Sequence, residues 1–259
     1  MKTAIVIPAR YASSRLPAKP LLRQTGKYLL QHVYDKACQA RCADRVIIAT
    51  DDPRIVAAAK TFDAPVVMTR RDHASGTDRV AEVAHGLSED IVINLQGDEP
   101  EIDPKSLDLL AAMLTRDPSA PMATLATPVP TIDQWKSPNC VKVVCDDRGR
   151  ALYFSRSPVP FVRDGEPDLK ARPARFLQHL GLYAYRRSFL LNLTQLPVHA
   201  LEEAEKLEQL RALAAGQAIQ VGVVAHATRG VDTLEDYNEF VQNFRRAQAA
   251  GEASAPVAA

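Results

Sequence analysis

The sequence predicts an α/β fold: a doubly wound, mainly parallel sheet with a β-rich insertion in its second half. Two observations point there. Short apolar runs alternate with longer amphipathic segments up to about position 120, the rhythm of βαβ units whose sheet is covered on both faces. Near Pro121 that rhythm breaks, and a hairpin-like pair of strands around Asp147-Arg148-Gly149 follows before the alternation returns.

The elements follow in order. Residues 2–7 form a compact strand stopped by Pro8, and a polar loop runs to Pro20. Residues 27–42 read as a helix with Leu29, Leu30, Val33, Tyr34 and Ala37 on one face. Residues 45–50 form a buried strand, and Asp51-Asp52-Pro53 starts a helix, with an acidic cap before a proline at the first helical position. Residues 66–68 are strand, 77–87 helix, 91–95 strand, and Asp103-Pro104 opens a helix to about 114. Pro128, Pro130 and Pro138 mark a loop, after which residues 141–145 and 151–154 pair as a hairpin. Residues 180–185 are strand, 201–213 one helix, 219–224 strand and 234–249 a closing amphipathic helix; residues 251–259 are expected to fray.

Composition narrows the function. The 259 residues carry 32 basic and 31 acidic side chains, a net charge of +1, with 46% hydrophobic and 24% charged residues. Such a chain is neither disordered nor a polycation that would gather nucleic acid by its overall field. No apolar run approaches the ~18 residues of a membrane span, and the opening run is too short for a secretory signal. Cys38, Cys42, Cys140 and Cys145 are too few for a disulfide scaffold and lack zinc-site spacing; they read as plain thiols in a reducing cytoplasm.

Chemistry gathers where strands end. The loop after the first strand carries Arg10, Arg15 and Lys19 among small residues and prolines, at the sheet edge where open α/β folds bind ligands. Three cations there suit a triphosphate, although the loop has neither dinucleotide fingerprint nor P-loop spacing, and a solvated basic loop is the plainer reading. Gln96-Gly97-Asp98 follows a buried strand and offers a carboxylate for Mg²⁺, with Asp232 as a second; alternatively Asp98 caps a turn and Asp232 the last helix. Ser75, Thr77 and Arg79 could read a base or ribose, or Ser75 or Thr77 could be a helix cap. Period-two spacing puts His179, Gly181 and Tyr183 on one strand face, either a binding surface or a satisfied core pair. Glu208 and Gln209 lie in an acidic helical stretch whose charges also suit a solvated face.

Taken together, Ile7-Pro8-Ala9-Arg10, Arg15-Leu16-Pro17, Lys19-Pro20-Leu21, Ser75-Gly76-Thr77-Asp78-Arg79 and Asn94-Leu95-Gln96-Gly97-Asp98-Glu99-Pro100 resemble the 3-deoxy-manno-octulosonate cytidylyltransferases. So do Ala151-Leu152-Tyr153-Phe154-Ser155-Arg156, His179-Leu180-Gly181-Leu182-Tyr183, Leu207-Glu208-Gln209-Leu210-Arg211 and Gly230-Val231-Asp232-Thr233, in family order along nearly the whole chain. The resemblance implies a nucleotide-diphospho-sugar transferase-like fold and a cytoplasmic homodimer. It also implies a reaction of CTP with the acid sugar Kdo that gives CMP-Kdo and pyrophosphate, with Mg²⁺, for lipopolysaccharide. A close acid sugar such as 8-amino-Kdo, or a non-catalytic nucleotide-binding role, are the alternatives. It implies residues 1–130 with 215–250 as the nucleotide-binding core, and 131–214 as an inserted subdomain for sugar binding and dimerisation. By the same resemblance Arg10 and Lys19 neutralise the triphosphate beside Arg15, with Ala9, Ser75, Arg79 and Gln96 near the nucleotide. Asp98 and Asp232 would hold the metal, and Arg156, Arg163, His179, Tyr183, Glu208 and Gln209 would shape the sugar pocket, Arg156 or Arg163 meeting the sugar carboxylate. Three departures stand out: Ala18 where glycine is common, Tyr28 where proline is usual, and a poor match over residues 164–175.

Overall fold

The computed structural model describes residues 1–12, 15–171, 173–228 and 230–253. Apolar strands with no polar face can only sit inside a sheet covered on both sides, and β1 (Thr3–Ala9), buried at every position, is the first of them. Its side chains divide by alternation. Ala4 and Val6 enter one core, and Ile5 and Ile7 enter the other. β2 (Arg45–Thr50), β3 (Val66–Met68) and β4 (Ile91–Asn94) run parallel to it in the order β3-β2-β1-β4. The crossovers carry α1 (Leu29–Ala37) and α2 (Pro53–Lys60) on the Ile5 side and α3 (Gly76–His85) on the Val6 side. α4 (Pro104–Arg116) returns to the Ile5 side with Leu107, Leu110 and Leu114.

The second half completes the same sheet. β5 (Met122–Pro128) and β9 (Ile219–Val223) are parallel to each other, and β8 (Leu177–Arg186) runs antiparallel between β4 and β5. The full order is β3-β2-β1-β4-β8-β5-β9, mainly parallel as expected, with β8 the exception. β8 therefore places a strand from the 131–214 stretch at the middle of the sheet. From the same stretch β6 (Lys142–Cys145) pairs with both β7 (Ala151–Ser155) and the start of β8, so the hairpin joins β8 ahead of the residues that β4 pairs with. α6 (Arg187–Leu193) and α8 (Gln209–Ala214) cover the Val6 side, and α9 (Leu234–Ala253) closes the chain.

Three local expectations are corrected, and one helix is added. The proline-rich loop after position 121 contains a core strand, β5, and a short helix, α5 (Ile132–Lys136), capped by Thr131. β5 reads Met-Ala-Thr-Leu-Ala-Thr-Pro, too poor in bulky side chains to announce itself, and Pro128 falls at its end, where a missing N–H is tolerated. The single helix expected over 201–213 is two, α7 (Ala200–Glu205) and α8, because Lys206 adopts φ 54°, ψ 48° between them. The helix expected over 27–42 ends at Ala37 and gives way to turns. α6 follows β8 directly, unannounced by any cap side chain. All four cysteines are free thiols, and burial pushes each above the usual thiol range. The residues of the expected fraying tail beyond 253 lie outside the described residues.

Candidate active site

Three loops meet at the carboxyl ends of β1 and β4. The first leaves β1 at Ala9 and reaches Lys19 through Ala18, whose φ of 56° lies in the left-handed region. That conformation is why glycine suits the position, since a Cβ there costs roughly 1–2 kcal/mol. A 3₁₀ turn, Lys19–Leu21, then aims the Lys19 side chain back at the sheet edge. The second loop leaves β4 through Gly97. A Cβ there would stand 2.8 Å from the Pro8 carbonyl, so only glycine lets the two strand ends approach. The third comes back from β9, and its Val231 N–H donates to the Asp98 carbonyl at 2.8 Å. The α9 cap is made by Thr233 and Asp236: Asp236 N–H donates to Thr233 Oγ1, and Asp236 Oδ2 accepts from the Thr233 N–H and hydroxyl. Asp232 is thus released from capping.

The charges converge on one point. Lys19 Nζ lies 2.6 Å from Asp98 Oδ2 and 3.3 Å from Asp232 Oδ1, and Arg15 Nη2 lies 3.0 Å from the same Asp232 oxygen. Lys19 is largely shielded and Asp98 partly so, which makes these stronger than ordinary surface pairs. They face a cleft of about 320 Å³ that is also lined by Ala9, Arg10 and Gln96. The two carboxylates thus meet at one ammonium at the edge of the cleft. Among the described residues no group of three or more His, Cys, Asp or Glu gathers anywhere. A pair of acids beside a cationic cleft is the donor set of Mg²⁺, which completes its octahedron with phosphate oxygens and water; the residues fit that ion.

The remaining nucleotide candidates divide. Arg10 lines the cleft, and its Nη2 donates to the His73 carbonyl at 2.8 Å. Gln96 Nε2 donates to Asn94 Oδ1 at 3.2 Å. Ser75 is the N-cap of α3, where it accepts from Asp78 N–H while Asp78 accepts from Ser75 N–H, a capping box. Its neighbour Gly76 lines the cleft. Arg79 is fully buried away from the cleft, bonded to Thr69 Oγ1 and 3.4 Å from Asp51. Burial lowers its pKa against the pull of Asp51, and its Nε has no hydrogen-bond partner among the described residues.

On the β8 side, His179 and Tyr183 do share a face, with ring centroids 5.3 Å apart. Four extended residues span ~13 Å; the register shift between β5 and β8 at Thr124/Leu125 contracts the strand between them. Thr124 Oγ1 sits in this bulge, 2.8 Å from the Leu182 carbonyl, 3.1 Å from the Leu180 carbonyl and 2.9 Å from His179 Nε2. Its one proton goes to a carbonyl, so it accepts from the ring, which assigns the His179 proton to Nε2. Burial pushes the His179 pKa down to about 3, so the ring is neutral. Tyr183 pairs in register with Asn94, the partner of Gln96, which joins this face to the cleft. Burial raises Tyr183, with Tyr185 and the charge of Glu208 adding to it. Gln209 is buried, and its amide nitrogen has no partner among the described residues. A side chain at Gly181 would meet nothing within 4 Å.

The two arginines expected at the sugar carboxylate differ in their partners. Arg156 donates from Nε to the Glu205 carbonyl at 2.6 Å and from Nη1 to the Pro138 carbonyl at 2.9 Å. Arg163 stands in solvent, paired with its neighbour Asp164 at 3.1 Å. Sequence reasoning also missed three groups. Glu99 is pushed up to about 7 by burial and by Asp98, against a hydrogen bond from Thr228; it follows Asp98 directly and was legible as a second acid. Thr124 was hidden in the unrecognised β5. Lys142 is fully buried and donates to the carbonyls of Ser137, Cys140 and Arg156.

Comparison with known proteins places this arrangement. The family model described as cytidylyltransferase matches residues 4–219. The 3-deoxy-manno-octulosonate cytidylyltransferase of Syntrophobacter fumaroxidans is 51% identical over 244 residues, covering 93% of this chain and 96% of that protein. The enzyme of the same name from Escherichia coli is 50% identical over 232 residues, with 90% and 92% covered. The chain belongs to the 3-deoxy-manno-octulosonate cytidylyltransferases. It is accordingly a nucleotidyltransferase. A solved CMP:2-keto-3-deoxy-manno-octonic acid synthetase in complex with CTP superposes with a TM-score of 0.89 at 47% identity, over 95% of this chain and 99% of that one. A cytidylyltransferase of Leptospira borgpetersenii, 17% identical with a TM-score of 0.62 and both chains fully covered, shares the fold. Within this cytidylyltransferase the departure at Tyr28 is a matter of packing. The ring lies under the Arg23 guanidinium at 5.0 Å and beside Phe62.

Proposed function

We propose that the chain joins CTP to Kdo, releasing pyrophosphate and forming CMP-Kdo. The observation that carries this reading is the meeting of Lys19, Asp98 and Asp232 at one point of the cleft. The names of its relatives and the CTP held by the related synthetase supply the substrates. The triphosphate lies along the first loop, where Arg10, Arg15 and Lys19 neutralise it; Asp98 and Asp232 hold Mg²⁺. That ion, when bound, polarises the phosphate oxygens as a Lewis acid. The anomeric hydroxyl of Kdo attacks the α-phosphorus and gives up its proton to solvent, the bond from that phosphorus to the oxygen bridging the α- and β-phosphates breaks, and pyrophosphate leaves with that oxygen and its charge.

Positioning and preorganised charge do the work here, as in other phosphoryl transfers. Gln96 lies between the nucleotide cleft and the β8 face, where His179, Tyr183, Glu208 and Gln209 receive the sugar. The neutral His179 presents an uncharged ring to it. Of the two arginines, Arg163 alone has its guanidinium free of backbone carbonyls, and it is assigned to the Kdo carboxylate. The enzyme is proposed to work as a cytoplasmic homodimer that supplies lipopolysaccharide assembly. No helix among the described residues is long and apolar enough to cross a membrane.

The test is pyrophosphate release from CTP, UTP and ATP with Kdo and 8-amino-Kdo, across a Mg²⁺ titration. Mg²⁺-dependent release with CTP and Kdo is expected, and its absence, or release independent of the sugar, overturns the reading.

A further inference from the structure

The kink between α7 and α8 needs an explanation. Lys206 sits in the left-handed region, which costs a residue with a Cβ roughly 1–2 kcal/mol, and a continuous helix was open to this sequence. The contacts around it are reciprocal. Glu205 Oε1 accepts from Ser155 Oγ at 2.6 Å and Oε2 from the Arg156 backbone N–H at 2.8 Å. Arg156 returns the bond, donating from Nε to the Glu205 carbonyl at 2.6 Å, with Nη2 3.5 Å from the Lys206 carbonyl. Each side chain thus grips the other's backbone, at the end of β7 and at the end of α7. Beneath them the buried Lys142 ammonium donates to the Arg156 carbonyl at 2.6 Å, fixing the β7 end from below. Across the kink, Arg211 donates from Nε to Glu202 Oε2 at 2.7 Å, tying α8 to α7.

What the kink achieves is the direction of α8. It opens with Glu208, whose charge acts on Tyr183, and Gln209, whose buried amide nitrogen has no hydrogen-bond partner among the described residues. We propose that Glu205 and Arg156 are positioning residues for the acid sugar: their reciprocal clamp holds the α7–α8 kink and so aims Glu208 and Gln209 at the face carrying His179 and Tyr183. Arg156 acts through carbonyls at the kink and leaves the sugar to others. The inference rests on the reading that Glu208 and Gln209 meet the sugar, and the experiment separates the two.

Initial rates with Kdo varied at saturating CTP, and the converse, are measured for Glu205→Ala, Glu205→Gln and Gln209→Ala. Melting and calorimetric CTP binding check that each variant folds. Glu205→Ala is expected to raise the KM for Kdo about tenfold or more while the KM for CTP stays within about twofold. Glu205→Gln is expected to recover most of that, since its amide oxygen accepts from Arg156 N–H and its NH₂ donates to Ser155 Oγ. Should Glu205→Ala fail to fold, Ser155→Ala, which removes one bond of the clamp, is read for the same Kdo-only shift. An unchanged Kdo KM, equal losses for both substrates, or a Gln variant no better than Ala overturns the clamp. If Gln209→Ala leaves Kdo untouched, the sugar assignment itself falls; if Gln209→Ala loses Kdo and Glu205→Ala does not, only the clamp falls.

Discussion

Lys19, Asp98 and Asp232 lie far apart in the sequence, yet one ammonium touches both carboxylates. Asp98→Asn keeps the shape of the side chain and removes the charge that would hold a metal. It is expected to lower turnover by ~100-fold or more with little change in melting temperature; pyrophosphate release over a Mg²⁺ titration reads it, and near-normal turnover at ordinary Mg²⁺ refutes the metal role. These residues were legible because acids and cations beside strand ends have few structural duties there. The cap made by Ser75 and the burial of Arg79 were not, since an N-cap serine has the same chemistry as a ligand, and a buried arginine is indistinguishable in sequence from an exposed one. Arg156 shows a related ambiguity: a guanidinium that can bind a carboxylate can also donate to backbone carbonyls, as its Nε does to Glu205.

Among the elements, the pairing of β5 with β8 shows most clearly what pattern reading misses. The first-half strands were legible because Ile and Val repeat without interruption, whereas β5 hides among Ala, Thr and flanking prolines. Its Thr124 hydroxyl bonds His179 and the bulge carbonyls from inside the sheet. Thr124→Val keeps the volume and strands those partners. A loss of about 1–3 kcal/mol in unfolding free energy is expected by urea titration, and an unchanged midpoint would show that the hydroxyl does not sustain the bulge. The α7–α8 break was illegible for the opposite reason: Leu201, Ala204, Leu207, Leu210 and Leu213 sustain the helical period straight through it, and the clamp that bends it comes from β7.

Over the whole molecule, stability carries a pH dependence written by buried histidines. His32 packs edge-on against Phe240 and Phe244 of α9, and burial, helped by the charge of Lys27 and opposed by Asp35, pushes its pKa down to about 4. His179 lies lower still, at about 3. Unfolded histidine titrates near ~6.5, so below that pH the unfolded chain binds protons the folded one refuses. Stability is full above that value and falls as pH drops toward 4, by about 2 kcal/mol per histidine at pH 5. Glu99, raised to about 7, works the other way, its burden easing as pH falls. Urea midpoints at pH 7.5 and 5 for wild type and His32→Gln separate the contributions. The variant is expected to lose less on acidification, and an identical loss would remove His32 from the account.

The hydrogen bond from Val231 to Asp98 joins residues far apart in the order of synthesis. The first four strands and the cationic loop are complete long before residue 232 is added, and Asp232 then arrives together with the helix that packs Tyr237 and Phe240 on Leu16 and Leu29. A nascent chain stalled on the ribosome short of that point, however well its early strands have paired, lacks half of the acid pair. Activity is therefore expected only after residue 232 and α9 have been added.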